Sequence, residues 1–258
     1  MVHPLVMESA SSLAPKPRRI GTPSADESAT ILAAKLRARE PFFFVLFGDG
    51  AIECMSHRKG MTCDREPYTE ALGAELLVAW LMLKCRSGGR VLVGDWQSAS
   101  FDGSSEHARY AEEYALMLEG WQPEMLHFES LLLMRESAAL VDFYRAVKED
   151  PRKKLYMGPV ECGGAAKMLG AEHLPTPMHD LFGHVGRLTR ELERKPFDVL
   201  LYGAGMAGNI PAVRSWVAHP ERTYINLGSG IDPLFFGRKT RRQQISPERA
   251  RVLFKELL

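Results

Sequence analysis

Short apolar runs alternate with segments of helical length along most of this chain, and that alternation restricts the possible folds more than any other feature. Phe42–Phe47 is a continuous apolar run, and Arg90–Val93, 125–128, Lys154–Met157, Phe197–Tyr202 and 223–227 repeat the form. A strand covered on both faces reads as an unbroken apolar run rather than as an alternation. Between these runs, 28–39, 69–86, 106–119, 136–148, 163–170, 179–194, 209–218 and 247–257 have the length and apolar density of helices. Strands alternating with helices predict an α/β fold: a Rossmann-like, mainly parallel sheet flanked by helices. Residues 1–27, rich in Ser, Pro and Ala, read as a flexible N-terminal tail. Residues 28–258 read as a single α/β domain.

Bulk properties exclude little. With 258 residues, 45% hydrophobic and 25% charged, the chain has ordinary globular values and the length for a sizeable core. A net charge of +1 demands no polyanionic partner. Local basic segments at Lys16-Pro17-Arg18-Arg19 and Gly237–Arg242 keep a phosphate or nucleic-acid contact open beside the reading as solvated loops. Cys54, Cys63, Cys85 and Cys162 form no CxxC pair, so zinc spacing is absent, and buried free thiols in a reducing compartment are expected. No apolar run reaches the ~18–20 residues of a membrane span. Nor does a charged-then-apolar leader open the chain. A cytoplasmic location is the expectation.

Ligands of parallel α/β sheets bind beyond the carboxyl ends of the strands. Those ends read Gly48-Asp49-Gly50, Gly94-Asp95-Trp96, Gly158-Pro159, Gly203-Ala204-Gly205 and Gly228-Ser229-Gly230. Recurrent glycine there suggests a rim where backbone approaches a ligand closely. Asp49 has two readings. It is a carboxylate linked to a hard cation, which takes oxygen ligands and offsets charge on a leaving diphosphate, or it caps an Asp-Gly turn. Gly203-Ala-Gly-Met-Ala-Gly208 fits G-x-G-x-x-G after a strand and before a helix. The acidic residue expected ~20 positions later is missing, which disfavours nicotinamide and leaves a phosphate contact or close packing.

His179-Asp-Leu-Phe-Gly-His184 resembles the HDLxGH segment of aromatic amino acid hydroxylases, which would imply iron held by both histidines and a carboxylate, with Glu221 as the nearest downstream candidate. The plainer reading is a helix start with Asp180 near its N-terminus. Glu129, in His127-Phe-Glu129, is either a helix-start charge or a pocket carboxylate.

Taken together, the strand ends resemble those of the GT-D fold glycosyltransferases, once catalogued as a domain of unknown function. The matching segments are Phe47-Gly48-Asp49-Gly50-Ala51, Tyr156-Met-Gly-Pro159, Leu200-Leu-Tyr-Gly-Ala-Gly205 and Tyr224-Ile-Asn-Leu-Gly-Ser-Gly-Ile-Asp232, spread over about residues 40–242. The resemblance implies a nucleotide-sugar donor, with Gly48, Gly50, Gly158, Pro159, Gly203, Gly205, Gly228, Ser229 and Arg238 as donor-binding residues. It also implies Mn²⁺ or Mg²⁺ held by an Asp-x-Glu pair. Asp49 matches the Asp, but Ala51 stands where the family has Glu. Glu53, Asp95 or Glu129 would then supply the second carboxylate, Glu53 being the nearest metal ligand. Without a metal, Arg238, Lys239 or Arg241 would neutralise the diphosphate.

The expected activity is sugar transfer to a hydroxyl acceptor, a glycan, a glycoprotein or hydroxymethylated phage DNA. Asp49, Asp95, Glu129 and Asp232 are the candidate catalytic residues, with His184 as a further candidate base. The rival readings are a non-catalytic nucleotide-binding protein and a 2-His-1-carboxylate iron hydroxylase.

Overall fold

The computed structural model describes residues 21–56, 62–63, 66–86, 88–99, 105–239 and 244–258. The expectations on Lys16–Arg19, Arg241 and Arg242 lie outside these residues. The chain enters through α1 (Ala25–Arg37), which starts inside the expected tail. Ser24 Oγ accepts from the Glu27 amide at 3.2 Å, and the Glu27 carboxylate accepts from the Ser24 amide at 2.8 Å. This reciprocal cap satisfies two amides that a helix start leaves open.

The elements then run β1 (Phe43–Val45), α2 (Asp49–Met55), β2 (Thr62–Cys63), β3 (Glu66–Pro67), α3 (Glu70–Arg86), β4 (Val91–Asp95) and α4 (Ser105–Met117). Next come β5 (Glu124–His127), α5 (Ala138–Glu149), β6 (Lys154–Pro159), α6 (Gly163–Leu169), β7 (Glu172–Thr176) and α7 (Val185–Arg194). The chain ends with β8 (Val199–Tyr202), α8 (Asn209–Ala218), β9 (Thr223–Asn226), α9 (Asp232–Phe235) and α10 (Pro247–Leu253).

Seven strands form one sheet in the order β5-β4-β1-β9-β8-β6-β7, and every pairing in it is parallel. Register sets Phe44 between Leu92 and Ile225 at the centre. β1, β4, β8 and β9 are buried at every position, as their apolar runs require. Two helix groups cover the sheet. In one, α1 packs on α5 and α5 on α6; in the other, α3 packs on α2 and α8, and α8 on α7. Among the described residues, no helix is long and apolar enough to cross a membrane.

Among the described residues, β7, the β2–β3 pair, α2 and α9 were not legible in the sequence. β7 is a half-exposed edge strand, so Glu-His-Leu-Pro-Thr carries no apolar run, and an edge tolerates Pro175. The antiparallel β2–β3 pair is too short to show a period. α2 occupies the place read as a turn or a loop. The helix expected from 179 begins at Val185 instead, after a 3₁₀ turn over Phe182–His184.

At the amino edge of the sheet, Arg152 clasps Asp150 with Nε at 3.0 and 3.1 Å and Nη2 at 2.7 Å, and reaches Thr223 Oγ1 at 3.2 Å. Burial alone would raise the Asp150 pKa, but the Arg152 hydrogen bonds and charge outweigh it, and the folded value lies below the ordinary 3.8. A depressed folded pKa contributes stability above the unfolded value and loses it as pH falls through the folded one. The stability gap between wild type and Asp150→Asn is therefore expected to stay constant from pH 7 to about 5 and to close as pH falls below the unfolded pKa of ~3.9. Urea unfolding at stepped pH checks this. Cys54 and Cys162 are buried free thiols as expected, but Cys85 is exposed near the end of α3, correcting the uniform expectation.

Candidate active site

A cavity of about 580 Å³ opens at the carboxyl edge of the sheet. The exits of β1, β9, β8, β6 and β7 all reach it: Gly48–Ala51, Asn226 with Gly228 and Ser229, Gly203–Met206, Pro159, and Thr176–Met178. From β1 the chain moves outward through β4 to β5, then crosses to β6 on the far side. The crevice beside such a reversal is where open parallel sheets take ligands.

Asp49 is the first residue of α2, with Gly48 at the N-cap. A carboxylate in a first helical turn is favoured by the helix dipole. Gly48 has φ −80° and ψ −178°, extended backbone open to any residue. A Cβ there would meet only Phe128 Cζ at 3.7 Å. The glycine rim therefore has no single cause. Gly228 (φ +54°) and Gly205 (φ +59°) occupy the left-handed region, while a Cβ on Gly203 would lie 2.7 Å from the Gly228 carbonyl. Close approach of the β8 and β9 exits is what excludes a side chain at 203. Gly208 packs on Ala204 in the same way, so the last glycine of the G-x-G-x-x-G run serves packing while Gly203 and Gly205 line the cavity.

A buried amide network joins these exits. Asn226 Nδ2 donates to Leu46 O at 3.3 Å and Asn209 Oδ1 at 2.9 Å, and Asn226 Oδ1 accepts from the Gly228 amide at 2.8 Å. Asn209 Nδ2 donates to the same Leu46 carbonyl at 3.0 Å, and Tyr202 Oη donates to Asn209 Oδ1 at 3.0 Å. Fully satisfied buried networks fix a unique geometry. Here the network sets the turn carrying Ser229 against the strand end leading to Asp49.

Three carboxylates, Asp49, Asp232 and Glu66, line the cavity together with Arg238 and Lys239. Asp232 opens α9, followed by Pro233. Its charge reaches a buried Tyr–Cys group: burial first, then Asp232, push the Cys162 thiol up to about 12, and both raise Tyr144. Glu66 was missed in the sequence because it stands in a stretch with neither helical nor strand period. Both its oxygens accept backbone amides, Leu181 N at 2.7 Å and Phe182 N at 3.1 Å. Burial raises its pKa and those two amides oppose the rise.

The other expected carboxylates do not join the cavity lining. Glu53, one helical turn beyond Asp49, is buried and held by Arg109 Nη2 at 3.2 Å and Tyr68 Oη at 3.3 Å, which ties α2 to its neighbours. Asp95 accepts from Gln97 N at 3.1 Å and Thr22 Oγ1 at 2.7 Å, capping the turn after β4. Glu129 is buried after β5, where Phe128 and Leu132 are the residues that reach the cavity. Gly158 packs on the Tyr156 ring instead, leaving Pro159 at the wall. His179 and His184 follow the carboxyl end of β7, but Glu221 precedes β9, where it pairs with His219 at 3.3 Å. In a parallel sheet those are opposite edges, so this trio cannot share an iron.

Among the described residues, no group of three or more His, Cys, Asp and Glu side chains could hold a metal unaided. Asp49 is the carboxylate that the β1 exit brings to the cavity wall, and Ala51, two residues on, offers no side-chain oxygen there.

Fold and cavity define a Rossmann-like α/β protein with a polar, partly charged pocket at the carboxyl edge of a parallel sheet. No protein-family model matches the chain, and no curated protein does. Solved structures do. One, described as the conserved domain of unknown function 1792 with a distinct glycosyltransferase fold, shares 18% identity and a TM-score of 0.57, covering 88% of this chain and 92% of its own. Another, described as a new glycosyltransferase of the same domain type from Streptococcus sanguinis, shares 12% identity and a TM-score of 0.60, covering 89% and 91%. The chain therefore has the glycosyltransferase fold of these proteins.

Proposed function

We propose that this protein is a glycosyltransferase that moves a sugar from a nucleotide-sugar donor to a hydroxyl acceptor. The observation that carries this reading is the convergence of Asp49, the Gly203–Met206 turn, Gly228-Ser229, Asp232 and Arg238 on one cavity of a glycosyltransferase fold. Breaking the bond between the sugar and the diphosphate puts charge on the leaving oxygens. Arg238 and Lys239, exposed cations that line the cavity, are suited to receive that charge, and the close-packed turns at 203–205 and 228–229 let backbone approach the phosphates. Asp49 would hold Mn²⁺ or Mg²⁺ through the donor's diphosphate; such an ion offsets the growing negative charge. Of the candidate bases for the acceptor hydroxyl, Asp232 is the one on the cavity wall. The acceptor is a glycan or glycoprotein hydroxyl; strongly salt-dependent affinity for duplex DNA would point to hydroxymethylated DNA instead.

Ala51 on the cavity wall, in place of a second carboxylate, favours one further reading: a nucleotide-binding protein without turnover. A thermal-shift panel of nucleoside diphosphates and nucleotide sugars, with and without Mn²⁺, tests both. A ligand at ~100 times its dissociation constant should stabilise by about 2.7 kcal/mol. A shift without sugar release or transfer selects the non-catalytic reading, and a flat panel removes the nucleotide site.

A further inference from the structure

Glu66 lies outside every functional motif, yet it is a buried carboxylate on the cavity wall. It follows α2 in the chain, and both its oxygens are anchored by the Leu181 and Phe182 amides beyond β7. Two amides leave about half of a carboxylate's acceptor sites unused. Leu181, whose amide Glu66 accepts, adds apolar surface to the same cavity together with Pro177 and Met178. Arg238 and Lys239 reach the same cavity from the chain after β9.

A fixed carboxylate next to an apolar wall suits a polyol ring: hydroxyls donate to the oxygens while the C–H face packs on the side chains. We infer that Glu66, with Met178 and Leu181, forms the subsite for the donor's sugar and selects a neutral, hydroxyl-rich sugar over an acidic one. This rests on the nucleotide-sugar reading above. An acidic sugar would bring a second carboxylate against Glu66 on a desolvated wall, where like charges repel strongly. Asp180 adds negative charge on that side, and His184 offsets part of it.

The test is calorimetric titration of wild type, Glu66→Gln and Met178→Ala with uridine diphosphate, its glucose conjugate and its glucuronic acid conjugate, or the same trio on the nucleoside that the panel selects. Wild type should bind the glucose conjugate about tenfold tighter than the bare diphosphate, and the glucuronic acid conjugate about tenfold weaker than the glucose one. Glu66→Gln should erase both differences, and Met178→Ala should shrink the sugar gain while leaving the bare diphosphate unchanged. A Glu66→Gln protein that keeps both differences, or a wild type that prefers the acidic sugar, overturns the subsite. If Glu66→Gln does not fold, a sugar gain that survives Met178→Ala overturns it. A wild type that binds none of the diphosphates overturns the nucleotide site and the subsite with it.

Discussion

Asp49→Asn is expected to leave the fold intact, to remove the metal-dependent part of the nucleotide thermal shift and to lower turnover by about 10²–10³-fold, the range for deleting one electrostatic contact at a reacting centre. The two side chains are nearly isosteric, so cavity shape is preserved. What changes is a charge at the first residue of α2, facing the pocket. Its stability effect should be small, since a first-turn carboxylate contributes about 0.3–1 kcal/mol. That separates it from Glu53→Gln, one turn along the same helix. Glu53 binds Arg109 and Tyr68 away from the cavity, so its loss should lower stability and spare metal dependence. Undiminished turnover and an unchanged metal-dependent shift in Asp49→Asn would remove Asp49 from the site.

The largest stability effect is expected for Gly230→Ala. A methyl group there would lie 2.3 Å from Leu131 O, 2.7 Å from Leu227 O and 2.9 Å from Tyr144 Oη. Two of these are backbone carbonyls already committed: Leu131 O accepts from Tyr144 Oη at 3.1 Å and Leu227 O from the Gly230 amide at 2.9 Å. Relief requires parting the β9 exit from the segment after β5. Overpacking against backbone of this kind costs roughly 3 kcal/mol or more, a drop of about 6–12 °C in Tm for a chain of this size. Scanning calorimetry reads it directly. Gly48→Ala is the control, because its methyl meets only Phe128 at ordinary contact distance. It should cost about 1 kcal/mol or less. A Gly230→Ala midpoint no lower than that of Gly48→Ala would refute the argument.

Much of the cavity rim was readable because strand ends in a parallel sheet share one edge. Once Phe42–Phe47, Phe197–Tyr202 and 223–227 read as buried strands, Asp49, Gly203, Gly205, Gly228 and Ser229 had to stand at the same rim. Asp95 and Glu129 obey that rule too, yet strand order sets β4 and β5 beyond β1, where their carboxylates turn inward to caps and core. Sequence shows that a strand ends; it does not show which strands are neighbours. The position of Glu53 off the cavity wall was not legible for a related reason. α2 is too short to announce itself, and a carboxylate four residues after Asp49 finds its partners on α4 and beside the β2–β3 pair.

By itself, then, the amino-acid order determined the α/β class, the parallel sheet and the edge at which the cavity opens, because apolar runs and helical periods are local signals set by burial of each segment. Tertiary structure alone decided which carboxylates meet. Glu66 reaches the cavity through amides 115 and 116 residues distant, and Asn226 joins the turns through a carbonyl 180 residues away. Such pairings depend on strand order and crossover path, which leave no period in the chain that encodes them.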